Sequence, residues 1–582
     1  MATYSYLANS PLVGQIVFTK SGSVRMTTTK QYDDLNRLPQ ISSAPSGSGL
    51  LPLTYSYTYN NANQRTKNTF SDGSHWVYQY DSLGQVTSGK RYWSDGTPVA
   101  GQQYDYAFDT IGNRTQTQSG GDTNGLNLRV ANYSANLLNQ YTGRTVPGTN
   151  DIIGAALLGT NVTVNGVAAD RKAEYFHGTA GTNNASSPAW LGVTAIGAGA
   201  TVPGHLYVPQ TPEQFQYDPD GNLTNDGRWA YTWDGENRLI AMTVNTNIGP
   251  QYQLTFAYDS QGRRIQKIVT TNGVTFTTLN FLYDSWNLLA VLSQISNLQS
   301  TYTWGNDLSG SPQGAGGVGG LLAIGYHGTS TTNAFAAYDG NGNLSAFVNA
   351  ADGTVVASYE YGPFGEVIRQ TGPMAKANPI RFSTKYQDDE SDQLYYGYRY
   401  YKASTGTWSS RDPIDEASFL LSYLKSLNLD DGAKLKRRMP DGNEFDFLQN
   451  NPIYAYDLNG LFAPVAPPPA PVAGACVRGT AIVVGEVGEG AVALPATAVI
   501  LSVVVVGEIT YITYELCQCR RQWACNAKCQ LVRISDFTVV GYHYGTGTGS
   551  TQDSACDAAK TAAANSAPPG FYTRHCRCIC QQ

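Results

Sequence analysis

The chain has 582 residues, of which 14% are charged, and it is rich in Gly (61) and Tyr (39). This length exceeds one ordinary hydrophobic core and predicts roughly two to four domains. The formal net charge of −6 is small for the length and argues against a general nucleic-acid-binding protein. Tyr, Thr, Val and Trp suit half-buried pleated surfaces, and Gly, Asn and Asp suit the turns between them. We therefore predict a mainly β chain.

An internal repeat organises residues 1 to about 370. Its unit is an aromatic residue, an acidic residue, a short turn with Gly or Asn and a polar strand, as in YDSLGQVT from Tyr80 and YDPDGNLT from Tyr217. Each unit predicts a β-hairpin, and consecutive hairpins can share ladders. We expect Tyr to pack inward and Asp to cap the turn. A carbohydrate-stacking or other ligand-binding surface is the alternative.

Composition divides the chain into six segments. The repeats are interrupted by a stretch rich in Gly, Ala, Val and Thr, and they end where aromatic density peaks. The predicted segments are a repeat shell at 1–142, an inserted β-rich segment at 143–211, a second repeat shell at 212–385, an aromatic core block at 386–461, a Pro/Ala linker at 462–475 and a variable module at 476–582.

The core block is the most aromatic part of the chain. Alternation along one strand would place Tyr396, Tyr398 and Tyr400 on one face. Arg411-Asp412-Pro413 follows a short strand that we predict at Trp408. Residues 416–429 have apolar residues spaced for one face of a helix, and a basic run, KLKRR, occupies 434–438.

The module at 476–582 contains all nine cysteines of the chain. Its apolar segment 491–507 is either a membrane-inserting segment or a buried strand or helix. The density of cysteine beyond Cys517 predicts a disulfide scaffold rather than a metal site. The disulfide candidates are Cys517, Cys519, Cys525, Cys529, Cys556, Cys576, Cys578 and Cys580. A zinc site with His575, or a cysteine nucleophile with His543 or His575 as its base, is the alternative.

The segments LYYGYRYYKASTGTWSSRDPI, GNEFDFLQNNPI and DLNGL of the core block carry a family resemblance. They resemble the Rhs repeat-associated core, and the upstream units are similar to YD repeats, so that the resemblance covers about residues 1–461. It implies a hollow β-cage of YD repeats, as in bacterial Rhs proteins and the C component of Tc toxins. The core block would close one end of this cage, and the variable C-terminal module would be an effector. Teneurins use a similar shell for adhesion.

The resemblance also implies an aspartyl autoprotease within the core block. It assigns the two carboxylates to Asp412 and Asp457, a neighbouring charge to Arg411, and cleavage to the bond between Leu461 and Phe462. Two aspartates that share a proton can activate water and polarise a peptide carbonyl. The alternative is that both aspartates cap turns. The sequence departs from the family pattern at Leu458, where Pro is usual, and by about thirty extra residues between the aspartates.

We therefore predict an Rhs-type encapsulating shell whose C-terminal effector is released by self-cleavage after Leu461. Self-cleavage is the one enzymatic activity predicted, and no cofactor or metal is required for it. The predicted partners are an immunity protein, delivery or secretion machinery, and a membrane contacted through 491–507; no specific nucleic acid is predicted. The chain would be secreted or at the cell surface, although its N-terminus does not read as a signal peptide. The alternatives are a non-catalytic adhesion or carbohydrate-binding protein, with a carbohydrate or cell-surface ligand, and a truncated remnant of a larger Rhs protein.

Overall fold

The computed structural model describes residues 1–293, 297–328, 331–413, 443–453, 455–465, 477–484, 498–506, 509–516, 523–533, 539–549, 556, 558–562 and 571–581. The chain forms two compact units, Met1–Pro471 and Val472–Gln582. Large antiparallel sheets dominate the first unit, which confirms the predicted mainly β fold.

The first sheet is an antiparallel meander in which each strand pairs with the next along the chain. Its first twelve strands, β1 to β12, are Ala2–Tyr6, Val13–Lys20, Ser23–Gln31, Gln40–Pro45, Leu53–Tyr59, Arg65–Phe70, His75–Tyr80, Val86–Tyr92, Pro98–Phe108, Arg114–Gly120, Leu128–Ala135 and Tyr141–Arg144.

Two small sheets follow, with strand orders β13-β17-β16 and β15-β14-β18-β19. Their strands, β13 to β19, are Thr149–Ala155, Val162–Val164, Val167–Ala168, Asp170–Lys172, Tyr175–Gly181, Ala189–Gly197 and Ala200–Val208. The chain then returns to the first sheet, because β20 (Glu213–Gln214) pairs with β12.

The second large sheet is a fourteen-stranded meander, β21 to β34. Its strands are Gln216–Tyr217, Leu223–Asn225, Trp229–Trp233, Leu239–Val244, Tyr252–Tyr258, Arg264–Thr271, Val274–Asp284, Asn287–Ser293, Asn297–Trp304, Leu321–His327, Thr331–Tyr338, Leu344–Asn349, Val355–Tyr361 and Val367–Thr371.

The repeat motif makes the same local structure in both large sheets. In the turn after β7, Asp81 Oδ1 accepts the backbone N–H groups of Leu83 and Gln85, each at 2.9 Å. This carboxylate therefore satisfies the turn, as Asx turns do. The hydroxyl of the preceding Tyr80 donates to the carbonyl oxygen of Arg65 on a neighbouring strand, at 2.6 Å. A hydroxyl is needed for that bond, which explains a preference for Tyr over Phe.

The core block adds a four-stranded sheet, β35 to β38, and the hairpin β39–β40. The strands are Tyr386–Asp388, Gln393–Tyr395, Tyr400–Lys402, Thr407–Trp408, Tyr456–Leu458 and Leu461–Val465. Short 3₁₀ segments lie at Phe382–Thr384 and Leu448–Asn450.

The predicted single strand through the tyrosine-rich stretch is wrong. The chain turns between β36 and β37 because Gly397 has a φ of +113°, which only glycine adopts readily. Tyr396 and Tyr400 are both buried, but Tyr396 joins the aromatic cluster inside the core block and Tyr400 packs against the second large sheet. The face of each tyrosine is therefore set by the hairpin.

Aromatic packing joins the core block to the second large sheet. Tyr395 and Tyr400 share a buried cluster with Trp229, Leu239 and other residues of that sheet. A separate cluster within the core block includes Tyr401 and Phe447, whose ring centroids are 3.9 Å apart. Aromatic side chains of this size bury much apolar surface, so we expect these contacts to dominate the stability of the block.

The second unit contains two antiparallel three-stranded sheets, β41-β43-β42 and β45-β44-β46. The strands β41 to β46 are Val477–Val484, Ala498–Val506, Ile509–Leu516, Trp523–Arg533, Val539–Gly549 and Phe571–Gln581. Within the apolar segment 491–507, the described residues are those of strand β42. Across the part of the chain that the structure describes, every helix is too short or too polar to span a bilayer.

Cys556 and Cys578 form a disulfide. Cys525 and Cys580 are register partners across the ladder of β44 and β46. Cys517 and Cys519 lie outside the described residues, as does the helix predicted at 416–429.

Candidate active site

Arg399 lies at the centre of the candidate site. The turn that Gly397 permits is closed by the N–H of Tyr396, which donates to the carbonyl oxygen of Arg399 at 3.0 Å. The turn directs the Arg399 side chain into the core block, where it is fully buried. Its guanidinium lies over the ring of Trp408, 4.1 Å from the centroid, which gives the cation a favourable aromatic face.

The guanidinium of Arg399 brings the two predicted aspartates together. Its Nη2 is 2.8 Å from Asp412 Oδ2 and 3.5 Å from Asp457 Oδ2. Both carboxylates are buried, and Nη2 is not aligned for a well-formed hydrogen bond to either. The contact is therefore a shared and buried ion pair, and charge interactions are stronger in buried surroundings than in water.

The same guanidinium holds the backbone beside the predicted cleavage site. Arg399 Nε donates to the carbonyl oxygen of Gly460 at 2.5 Å. Gly460 immediately precedes Leu461, whose side chain is buried. One cation thus contacts both carboxylates and the peptide group next to the predicted scissile bond.

The hairpin β39–β40 carries Asp457 and Leu461 on opposite sides of a two-residue turn. Leu458 and Leu461 are register partners, and Asn459 and Gly460 have φ values of 59° and 75°. Positive φ at both positions is typical of a type I′ hairpin turn, for which Asn-Gly is the preferred sequence. The turn is therefore formed by Asn459 and Gly460, without the Pro that is usual at position 458.

Asp457 has an unusual electrostatic environment. Burial raises its pKa, Arg399 lowers it, and Asp412 raises it again, so that the pKa of Asp457 is about 7. Lys385 and the backbone N–H of Gly460 also lower the pKa of Asp457, but together they do not outweigh burial. A carboxyl group with these properties can hold a proton at neutral pH and donate it.

Lys385 and a glycine-rich loop form the other side of the site. Lys385 Nζ donates to the carbonyl oxygen of Gly316 at 2.8 Å. Burial lowers the pKa of Lys385 to about 8, although Asp457 and Asp307 act in the opposite direction. A Cβ on Gly316 would lie 3.2 Å from the backbone nitrogen of Asn459, so glycine at 316 lets the loop approach the turn closely. This loop contains the GAGGVGG sequence at 314–320.

Arg411 is paired with a different carboxylate, that of Glu444. Arg411 Nε is 3.5 Å from Glu444 Oε2, and more than a third of its side chain is exposed. Arg399, which we did not predict from the sequence, is the cation that contacts both aspartates. The Gly at 397 was the available signal, because a glycine between tyrosines marks a turn.

Asp446 is a further buried acid that we did not predict from the sequence. Burial raises its pKa to about 7, against a lowering contribution from Arg399. The arrangement as a whole fits acid–base hydrolysis of a peptide bond by protein side chains. Within the described ranges, no group of three or more His, Cys, Asp or Glu side chains could hold a metal ion.

Comparisons with known proteins find similarity to a shell family and to two proteins named as a nuclease and a toxin. The teneurin YD-shell family model matches residues 210–419. The tRNA nuclease WapA of Bacillus subtilis is 27% identical over 249 residues, which are 43% of this chain and 9% of the relative. The toxin protein Tse5 of Pseudomonas aeruginosa is 34% identical over 89 residues, which are 15% of this chain and 5% of the relative. The chain thus spans less than a tenth of either relative.

Solved Tc toxin structures were also matched. The crystal structure of TcdB2-TccC3-Cdc42 is 14% identical with a TM-score of 0.34, and the match covers 77% of this chain and 21% of the other. The Photorhabdus luminescens Tc holotoxin pore is 16% identical with a TM-score of 0.35, and the match covers 78% and 21%.

Proposed function

This chain is a YD-repeat protein of the Rhs type, and on that premise we propose that it is a shell that releases its own C-terminal module by cleavage after Leu461. The observation that carries the proposal is the shared guanidinium of Arg399, which contacts Asp412, Asp457 and the carbonyl group of Gly460.

The two aspartates take different roles in the proposed hydrolysis. Asp412, in the closer ion pair with Arg399, takes a proton from the attacking water. The water oxygen bonds to the carbonyl carbon of Leu461, and Asp457 supplies the proton that the nitrogen of Phe462 needs to leave. Because the pKa of Asp457 is about 7, we expect the rate to fall as the pH rises above 7.

The released part would be residues 462–582, which we propose to be an effector. Two observations support this role: the composition changes sharply after Leu461, and two of the relatives are a nuclease and a toxin protein by name. A disulfide between Cys556 and Cys578 suits a module that acts in an oxidising compartment. Delivery or secretion machinery and an immunity protein are the partners that such an effector would need.

The direct test is expression of the full chain followed by N-terminal sequencing of its fragments. We expect a fragment that begins at Phe462. Asp457→Asn should leave the chain intact, because Asn cannot donate the proton. Asp389→Asn is the matched control, since that aspartate is more than half exposed and lies away from the site.

A wild-type chain that stays intact at pH 5 to 7 would overturn the cleavage proposal. The effector proposal is tested separately by expressing residues 462–582 with and without export to an oxidising compartment. Absence of growth inhibition in both cases would count against an effector, whether or not cleavage occurs.

A further inference from the structure

A buried carboxylate organises the glycine-rich loop at 314–320. Asp307 Oδ2 accepts the backbone N–H groups of Ala315 and Gly317, at 2.7 and 3.1 Å. These two residues flank Gly316, so one carboxylate oxygen holds the peptide groups on both sides of it. Asp307 is itself buried, and water therefore competes little for these bonds. The carbonyl group of Gly316 is consequently held in a defined direction.

The loop packs against the hairpin β39–β40. Ala315 and Val318 form a buried apolar cluster with Tyr456 at the start of β39. The turn of this hairpin is also held by the backbone N–H of Tyr398, which donates to the carbonyl oxygen of Asn459 at 3.0 Å. Two separate parts of the chain therefore hold the hairpin that carries the predicted cleavage site.

Lys385 joins the loop to the candidate site. Its Nζ donates to the carbonyl oxygen of Gly316 at 2.8 Å and lies over the ring of Tyr396, 5.2 Å from the centroid. The backbone N–H of Gly319 donates to Thr384 Oγ1 at 2.8 Å, which ties the residue before Lys385 to the same loop. The loop therefore fixes both the backbone next to Lys385 and the direction of its ammonium group.

Lys385 is a second cation that acts on the Asp457 carboxyl. Burial raises the pKa of Asp457, and Arg399 lowers it. Asp412 raises that pKa further, whereas Lys385 lowers it. The carboxylates that act on Lys385 in turn are those of Asp457 and Asp307. Removal of the ammonium group would therefore let Asp457 keep its proton to a higher pH.

We propose that Lys385 is a positioning residue for self-cleavage: the glycine-rich loop holds its ammonium group beside Asp457 and close to the turn at 459–460. This inference rests on the proposed self-cleavage and adds to it a cation that sets its pH range. It also makes cleavage depend on the second large sheet, because the loop lies between β29 and β30. The core block alone would lack part of its site.

The pH profile of cleavage in the full chain tests the role of Lys385. Lys385→Met should raise the pH above which cleavage slows by about one unit, because Asp457 then keeps its proton longer. Lys385→Arg keeps the positive charge and should return this limit close to the wild-type value. Lys376→Met is the matched control, because Lys376 is exposed and lies nine residues earlier.

An unchanged pH limit in Lys385→Met would overturn the proposal, even if the rate fell at every pH. A uniform fall in rate is the result expected of a residue that only stabilises the fold, whereas a shift of the limit requires an electrostatic effect on Asp457.

Hydrogen exchange measured by mass spectrometry tests the loop without relying on cleavage. In an Asp412→Asn background, which keeps the chain intact, Asp307→Ala should accelerate exchange in peptides covering 456–465 by at least about tenfold, because it releases the loop. Asp33→Ala is the control: Asp33 Oδ1 accepts two backbone N–H groups in the turn after β3, in the first sheet.

Equal exchange in the two alanine variants would overturn the proposed hold of the loop on the hairpin. Failure of the wild type to form the Phe462 fragment would leave the exchange measurement unaffected, and it would count against the cleavage proposal instead.

Discussion

Arg264 and Arg399 are both fully buried and each contacts an aspartate of the core block, yet their surroundings have opposite charge balance. Asp388 lies between two cations, with Oδ2 2.6 Å from Arg264 Nη1 and Oδ1 2.8 Å from Lys267 Nζ. Arg399 is instead shared by two carboxylates. Burial alone would raise the pKa of Asp388, but Arg264 and Lys267 lower it. The pKa of Asp457 is raised to about 7.

This difference separates a structural ion pair from a candidate reactive one. Five aromatic rings surround the guanidinium of Arg264, at 4.6 to 5.8 Å from the ring centroids. These contacts stabilise the charged guanidinium of Arg264 and hold the core block against β26. At Asp457, burial and the nearby Asp412 carboxylate outweigh the lowering of the pKa by Arg399 and Lys385, so a proton is retained there at neutral pH. Retained protons at neutral pH are typical of functional sites.

Removing the shared cation should have the largest effect. Arg399→Met should slow formation of the Phe462 fragment on the order of 10³-fold, because both carboxylates and the Gly460 carbonyl lose their common contact. Arg399→Lys should remain slow, since lysine lacks the planar fork that makes these contacts together. Gel electrophoresis of samples taken over time gives the half-life for formation of this fragment, and hence the cleavage rate.

Arg411→Met is the control for this prediction, and it should leave the half-life within about threefold, because Arg411 lies beside Glu444. Equal slowing by the two methionine substitutions would show that Arg399 has no special role.

Breaking the ion pairs that Asp388 makes with Arg264 and Lys267 should affect stability rather than cleavage chemistry. Asp388→Ala leaves Arg264 and Lys267 buried without their shared carboxylate, and we expect a loss of about 3–5 kcal/mol in the free energy of unfolding. Urea denaturation followed by tryptophan fluorescence measures this loss. Asp389→Ala should cost less than about 1 kcal/mol, because that pair with Arg381 is largely exposed on the aspartate side. Similar losses for the two variants would contradict the comparison.

The substitution Asp457→Asn should have the smallest of these effects. It should change the free energy of unfolding by an amount that depends on pH. Below about pH 4 the carboxyl is protonated in both the folded and unfolded states. As the pH rises to about 7, the unfolded state ionises while the folded state keeps its proton, so the free energy of unfolding falls. Asp457→Asn removes this loss and should stabilise the fold at pH 8 by on the order of 3 kcal/mol, with little change at pH 4. A pH-independent difference in denaturation midpoints would refute the assignment.

The repeat units could be predicted from sequence because their turns are local. Asp81 and its equivalents bond to backbone groups two and four residues ahead, and this chemistry is visible in a short stretch of sequence. The pairing of Asp412 with Asp457 followed from a family motif, since nothing local brings these residues together.

The rest of the site depends on contacts that sequence spacing does not encode. Lys385 bonds to Gly316, and Gly316 lies against Asn459, only because the glycine-rich loop of the second sheet packs against the hairpin of the core block. Arg399 could have been found, since Gly397 signalled the turn that redirects it. Side chains alternate between the two faces only within one strand. The turn at Gly397 ends the strand, so alternation predicted the wrong faces for the tyrosines.

The run Leu448–Asn450 has a consequence for the order of folding. Its three residues have φ values of 56°, 53° and 56°, a left-handed conformation that costs roughly 1–3 kcal/mol for each non-glycine residue. Asn450 Nδ2 donates to Gln85 Oε1 at 3.0 Å and to the carbonyl oxygen of Gly112 at 2.8 Å. These partners precede Asn450 by 365 and 338 residues. The strained run is therefore stable only once the N-terminal strands are in place, so we expect this part of the core block to form late in assembly.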